Sequence, residues 1–259
     1  MSNDFAFFPL ETPAVLPCET KHAHPSRPDE DAPRTLTERA YLELRQDIVQ
    51  GRLEPGSRLR VEHLKDHYAV GAGTLREALA LLVSDALVTV EGQRGYRVAQ
   101  VSLSELKDIT DTRVMLETES LRRSIRHGNA QWASELKAAY EALSQAELTN
   151  NGLDPVNWER ANKRFHEALI AGHRSPWSQY LLTLLYRHGE RYRNIAIRLG
   201  AANSIERDVH AEHSAIYTAA MAGQEARAAL ALEAHIRLTY DMLMRHTETT
   251  LGRSSASSA

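Results

Sequence analysis

From Ser102 to Leu251 the sequence carries helical periodicity and almost nothing else. Start signals recur along it. Ser102 with Glu105 has the spacing of a capping box, and Asp154-Pro155 and Ser175-Pro176 each set a capping side chain before a proline suited to a first helical turn. Asn203 with Glu206 opens a further helix, and Gly223 interrupts the last long pair. Such helices, joined by short connections, bury their apolar stripes by packing as antiparallel neighbours. Residues 101–251 are therefore expected to form a bundle of about six to seven helices.

Residues 34–100 are written differently. Thr35 and Glu38 have capping-box spacing, and Tyr41, Leu44 and Ile48 repeat at helical intervals until Gly51. Pro55-Gly56 makes a turn, Val61 to His67 reads as a short second helix, and Leu75, Leu79 and Leu82 mark the apolar face of a third. "LVTV" and "YRVAQV" alternate as strands do, joined by a loop running from Glu91 to Gly95. The expected architecture is thus mainly α: a small helix–turn–helix unit with a two-stranded wing, then the bundle. Residues 1–33 are proline-rich without a period and read as a disordered leader; residues 252–259, "GRSSASSA", read as a flexible tail.

Composition narrows the function. The net charge is −3, with the acidic excess in the leader and a slightly basic, arginine-rich segment over residues 34–100. That distribution weakly favours an anionic partner for the second segment. The one cysteine, Cys18, excludes an intrachain disulfide framework. "FAFFPL" is too short and lacks the basic flank of a signal peptide, and no apolar run reaches membrane-spanning length. The expected location is cytoplasmic.

Gly71-Ala72-Gly73-Thr74 raises the question of a phosphate-binding loop. A dinucleotide fingerprint needs a third glycine where Arg76 stands, and a strand where "VEHLKDHY" reads as helix; a P-loop needs Gly-Lys-Ser/Thr. Helix, tight turn and helix followed by a wing is the better parse, that of a winged helix–turn–helix. A third helix beginning near Thr74 would offer free N–H groups to a DNA phosphate. Thr74 and Arg76 would face the groove, with Arg94 and Gly95 at the wing tip and Arg45 on the first helix as further candidate DNA contacts. A helical subdomain with a hairpin and no DNA partner shares this pattern.

In the helical half, Asn162 and His166 are four apart and share one face. His213 lies ten residues before Gly223 and His235 twelve after it. At ~1.5 Å per residue both stand roughly 15–18 Å from the turn, at matching height in an antiparallel hairpin. Three imidazoles and an amide oxygen could converge there on Zn, Ni or Fe. With twelve histidines in the chain, chance spacing is the competing explanation. His210, one turn before His213, is a weaker candidate. Arg113 shares the apolar stripe of Leu106, Ile109 and Leu116, so it needs either Glu117, one turn on, or a ligand carboxylate as partner. Arg191 and Arg193 are equally explained by a solvated face.

The run "LRQDIVQGRLEPGSRL", with the later "LREAL" and "GQRGYRVA", resembles the DNA-binding domain of the GntR family of bacterial regulators. The helical half resembles the FadR-type effector domain, so the likeness spans residues 36–251. Within that branch the turn and wing are similar to those of the carbon-starvation-induced, glutarate-responsive repressors. Where the family turn usually carries Ser-Arg, this chain has Gly71-Ala72. The resemblance implies a homodimeric repressor of a double-stranded operator, with no membrane partner. It implies a divalent metal at Asn162, His166, His213 and His235, with asparagine where aspartate is commoner. It also implies a small carboxylate effector, glutarate or 2-hydroxyglutarate, gripped by Arg113 with Arg193 as a further contact.

A metal-dependent helical-bundle enzyme acting on a small carboxylate is the alternative. A di-iron site wants Glu-x-x-His on two helices, and that spacing occurs only at Glu19–His22 in the leader. A zincin wants His-Glu-x-x-His, and the segment from His166 ends in Ile170. The expectation is that the chain is not an enzyme. A pure interaction bundle would leave the turn, Arg76 and the wing unexplained.

Overall fold

The computed structural model describes residues 33–92, 95–149, 155–198 and 208–256. Its first helix, α1, runs Leu36–Val49, and Thr35 Oγ1 accepts the Glu38 N–H at 3.0 Å. The Glu38 carboxylate reaches back to the Arg34 N–H at 2.8 Å, which closes the expected cap. Ala40, Leu44 and Ile48 fall on one buried face. Gly51 then takes a φ of 72°, a left-handed conformation that favours glycine after a helix end.

Next come β1 (Arg58–Leu59), α2 (Val61–His67), α3 (Ala72–Ser84), β2 (Val88–Val90) and β3 (Tyr96–Val98). The wing is a three-stranded antiparallel sheet, ordered β1-β3-β2, rather than the pair read from alternation. The Pro55-Gly56 turn lays β1 beside β3, where Val98 N–H donates to Ser57 O at 2.9 Å. Two residues are too few to announce a strand by alternation. Leu44, Ile48, Leu75, Leu79, Leu82, Leu87 and Val98 form the core of this unit.

The turn between α2 and α3 differs in mechanism from the sequence expectation. The left-handed residue is Ala69, with φ 49°, whereas Gly71 has φ −69°. The glycines are therefore not what reverses the chain. The third helix also starts at Ala72, two residues before Thr74, so Ala72 and Gly73 lie in its first turn.

The bundle is made of α4 (Leu103–His127), α5 (Ala130–Thr149), α6 (Pro155–Ala171), α7 (Pro176–Arg198), α8 (Val209–Met221) and α9 (Glu225–Ala256). Ser102 Oγ accepts the Glu105 N–H at 3.1 Å, and Ser175 Oγ the Ser178 N–H at 3.2 Å. Asp208 caps α8 through the Ala211 N–H. Asp154, Asn203 and Glu206, expected at helix starts, lie outside the described residues. Gly223, φ 69°, turns α8 into α9. Helix α9 runs through Ala256 and so takes in Gly252 and the next four residues of the segment expected as a flexible tail.

Phe165, Leu121, Leu136, Leu143, Leu169, Ile216 and Leu232 fill the bundle core. Helix α7 touches both α4 of the bundle and α1 of the N-terminal unit. No described helix is long and apolar enough to cross a membrane.

Candidate functional site

Two places on the molecule carry groups suited to binding. The first is the N-terminal end of α3. Its cap residue, Gly71, supplies no side-chain hydrogen bond, so the first-turn N–H groups have no side-chain cap. Arg76 is exposed there and Thr74 half-buried. Arg76 lies close enough to α2 for its charge to reach Glu62, whose carboxyl is held down first by its bond from Lys65. A Cβ added at Gly71 or Gly73 would meet nothing within 4 Å, so this end of the helix faces open space.

Across the wing, Glu91 N–H donates to Gly95 O at 2.9 Å, and Gly92 and Gly95 take φ values of 52° and 91°. Arg94 lies outside the described residues. Arg58 on β1 of the wing and Arg60 at the start of α2 are further exposed cations of this unit; sequence reasoning passed over them because neither stands in a motif. Arg45 sits elsewhere. It lies over the Tyr41 ring, and Tyr41 bonds Asp85, the residue that ends α3. Asp85 lies about 16–17 Å along the helix from Thr74. Arg187 of α7 also donates to Tyr41 Oη, so Arg45 sits beside the contact between α1 and α7.

The second place is the middle of the bundle. Helix α6 brings Asn162 and His166 inward, α8 brings His213 and α9 brings His235. Donor atoms of the three histidines lie within 4.8 Å of one another. The His213 and His235 ring centres are 4.5 Å apart, so the hairpin turned by Gly223 does bring them to one height. Asn162, His166 and His213 are buried. Asn162 Oδ1 and His213 Nε2 are buried with no hydrogen-bond partner, while His166 Nδ1 has only the Glu117 carboxylate beside it, at 3.5 Å. Each such atom costs about 1–3 kcal/mol if nothing satisfies it.

Carboxylates surround these rings. Glu147 of α5 meets His213 Nδ1 at 2.6 Å and His210 Nδ1 at 2.9 Å; Glu212 meets His235 Nδ1 at 2.7 Å. A carboxylate on Nδ1 fixes the tautomer and leaves the lone pair on Nε2, as around metal-binding imidazoles. His210 is thereby an outer neighbour sharing Glu147. Burial pushes the His166 imidazolium down to about 4 although Glu117 lies beside it, so this ring is neutral near pH 7. Neutral imidazoles and an amide oxygen fit a divalent transition metal such as Zn, Ni or Fe.

Arg113 takes the internal partner. Its Nε donates to Glu117 Oε1 at 2.7 Å, and the guanidinium stacks over the Tyr186 ring at 4.7 Å. Tyr186 Oη donates to Glu117 Oε2 at 2.8 Å, and His166 Nδ1 stands 3.5 Å from that same oxygen. Burial alone would raise the Glu117 carboxyl, but the charges and hydrogen bonds of Arg113 and His166 together outweigh it and hold the group at about 2. Arg193 pairs with Glu159 of α6. Arg191 points the other way and donates to Ala99 O at 2.5 Å, outside the bundle centre.

Known proteins resemble this chain in both halves. Residues 36–98 match the bacterial regulatory proteins of the gntR family, and residues 108–238 match the FCD domain. The HTH-type transcriptional regulator BphR of Paraburkholderia xenovorans (strain LB400) is 42% identical over 78% of this chain and 83% of its own. This chain belongs to the GntR family. The HTH-type transcriptional repressor GlaR of Escherichia coli (strain K12) is 35% identical over 76% of this chain and 90% of its own. Among solved structures, E. coli McbR/YncC has the same fold, with a TM-score of 0.66 and 20% identity over 82% of this chain and 99% of its own. A putative GntR regulator from Rhodococcus sp. RHA1 scores 0.65 at 22% identity, covering 80% of this chain and 97% of its own.

This GntR regulator is therefore a DNA-binding transcriptional regulator of the GntR/FCD type, with a FadR-type helical half, and its relatives are regulators rather than enzymes. The gntR match covers the unit that contains α3, and the FCD match covers most of the bundle. Sequence reasoning paired Glu117 with Arg113 but missed its approach to His166, and it missed Glu147, Glu212 and Tyr186 altogether. Glu212 could have been suspected from its place one turn-phase from His235 across the hairpin. Nothing local marks Glu147, which arrives from a different helix.

Proposed function

We propose that this GntR regulator is a homodimeric repressor whose bundle holds a divalent metal and releases DNA when a short dicarboxylate, such as glutarate, binds that metal. The observation that carries the reading is the convergence of His166, His213 and His235, with donor atoms within 4.8 Å of one another, together with the buried and unpartnered Asn162 Oδ1 and His213 Nε2. A cation held there by three imidazoles and the Asn162 amide would meet a donor set with no charge of its own, which leaves the ion positive and open to an anion. Arg113 adds its Nη edge to hold a carboxylate, its Nε being already bound to Glu117. Arg193 and Asn162 serve in the same place, the amide giving up the charge that an aspartate would bring.

At the other end, Thr74 and Arg76 meet the operator from α3, and Arg94 and Gly95 from the wing. A two-fold dimer suits a palindromic site. The repressor sense is supported by the name of the GlaR relative. Effector binding favours one arrangement of the two halves and so lowers operator affinity.

Fluorescence anisotropy on the DNA upstream of this protein's own gene tests the whole reading. It is run against scrambled DNA over a salt series, after loading with Ni2+ and with and without glutarate. Selective binding lost on adding glutarate is the expected result. Selective binding that glutarate leaves unchanged would overturn the effector, and equal binding to scrambled DNA would overturn the operator.

A further inference from the structure

Helix α7 presents two chemically different faces, and they meet different halves of the molecule. Tyr186, Gly189 and Arg193 look into the bundle. Tyr186 bonds Glu117, and a Cβ added at Gly189 would stand 3.0 Å from Arg113 Nη1, so any larger residue there would press on that guanidinium. Arg187, His188, Arg191, Asn194 and Arg198 share the other face. Each of them reaches an oxygen of the N-terminal unit.

The oxygens they reach follow a pattern. Arg187 donates to the Asp85 carboxylate at 2.7 Å and His188 Nε2 meets the Asp85 carbonyl at 2.9 Å, at the residue that ends α3. Asn194 Nδ2 donates to Val49 O at 3.0 Å and Arg198 to Gly51 O at 2.5 Å, where α1 ends. Arg191 donates to Ala99 O, just after β3. Helix C-termini leave carbonyls without partners and carry partial negative charge, so cations and amides from α7 supply what α1 and α3 lack. The ladder therefore acts as the C-cap of the DNA-reading helix from outside its own unit.

The ladder is also near balance. Arg191 is 1% exposed, yet its Nε and Nη1 have no hydrogen-bond partner. A buried cation so incompletely satisfied takes back much of what the other contacts contribute. Polar contacts of this kind exchange for water at small net cost, unlike an apolar interface.

We infer that α7 is the arm through which the bundle centre sets the DNA-reading helix: a ligand that takes Glu117 from Tyr186 shifts α7, and the carbonyl ladder from Arg187 to Arg198 passes that shift to the ends of α1 and α3. This rests on the bundle centre being the effector site, as proposed above. The ladder itself does not depend on which ligand enters.

The test uses the full chain, wild type against Arg187→Ala/Asn194→Ala, with Asn194→Ala alone as a milder second variant. Hydrogen exchange is followed at residues 50–53 and 85–88, at the helix ends, and at residues 162–170, in the bundle. Operator affinity is measured with and without Ni2+ and glutarate. In the ligand-free double variant, exchange at the helix ends rises about tenfold, the scale of one lost net hydrogen bond. The bundle segment keeps its wild-type protection, including any gain on adding Ni2+, and the response of operator affinity to glutarate falls below about twofold. Wild-type exchange at the helix ends, or a wild-type response to glutarate, would overturn the inference. If Ni2+ and glutarate leave the wild type unchanged at residues 162–170, it is the effector reading that fails, and the helix-end exchange alone then decides whether α7 holds the two halves together.

Discussion

Single residues in this protein divide by whether their neighbours already satisfy them. Arg76 is exposed at the start of α3 and makes no contact that the fold needs. Arg76→Ala should weaken operator binding about tenfold or more, the range for one good groove contact, while the thermal midpoint stays put. An equal fall in both would return Arg76 to a structural role. Arg113 and Glu117 are the opposite case, an ion pair buried on α4. Glu117→Ala would strand the guanidinium and should cost about 3–5 kcal/mol in denaturant melts. The same change frees Tyr186 and His166, so it should lower metal affinity as well.

At the scale of elements, the bundle depends on close approaches and on what fills its centre. Gly172 follows α6 with no room for a side chain: a Cβ there would meet the Ser124 backbone at 2.9–3.0 Å. Backbone cannot move aside as a flexible side chain does. Gly172→Ala should therefore destabilise the bundle by about 1–3 kcal/mol, read as a lower denaturation midpoint. The histidine centre joins α6, α8 and α9, so a bound metal ties three helices together. Saturation with Ni2+ should stabilise the chain by about 2.7 kcal/mol at a hundredfold excess over Kd. His213→Ala with His235→Ala should abolish both that gain and stoichiometric metal in elemental analysis; retained metal would place the site elsewhere.

For the whole molecule, the relevant quantity is how the two halves address DNA together. The net charge is −3, so binding must come from local basic groups rather than overall attraction. Arg58, Arg60 and Arg76 are exposed in the N-terminal unit. Arg60→Ala should reduce the slope of log affinity against log salt by about one unit and leave sequence selectivity intact, as expected for loss of one phosphate contact. A change in selectivity without a change in slope would make Arg60 a reader of bases instead.

The sequence by itself determined most of the elements and their order, though not β1 or the reach of α9 past Leu251. Caps at Thr35, Ser102 and Ser175, stops at Gly51 and Gly223, and leucines at helical spacing act within one or two turns of chain, and such signals are local by nature. It also determined that His213 and His235 meet, because a short turn between two helices leaves little freedom in their register. Tertiary structure alone decided what surrounds them. Glu147 reaches His213 from α5, Tyr186 reaches Glu117 from α7, and Arg45 lies over Tyr41, which accepts from Arg187 of α7. Those outcomes depend on which helix faces pack together, and the free energy that selects them is shared among many buried side chains rather than written at any one position.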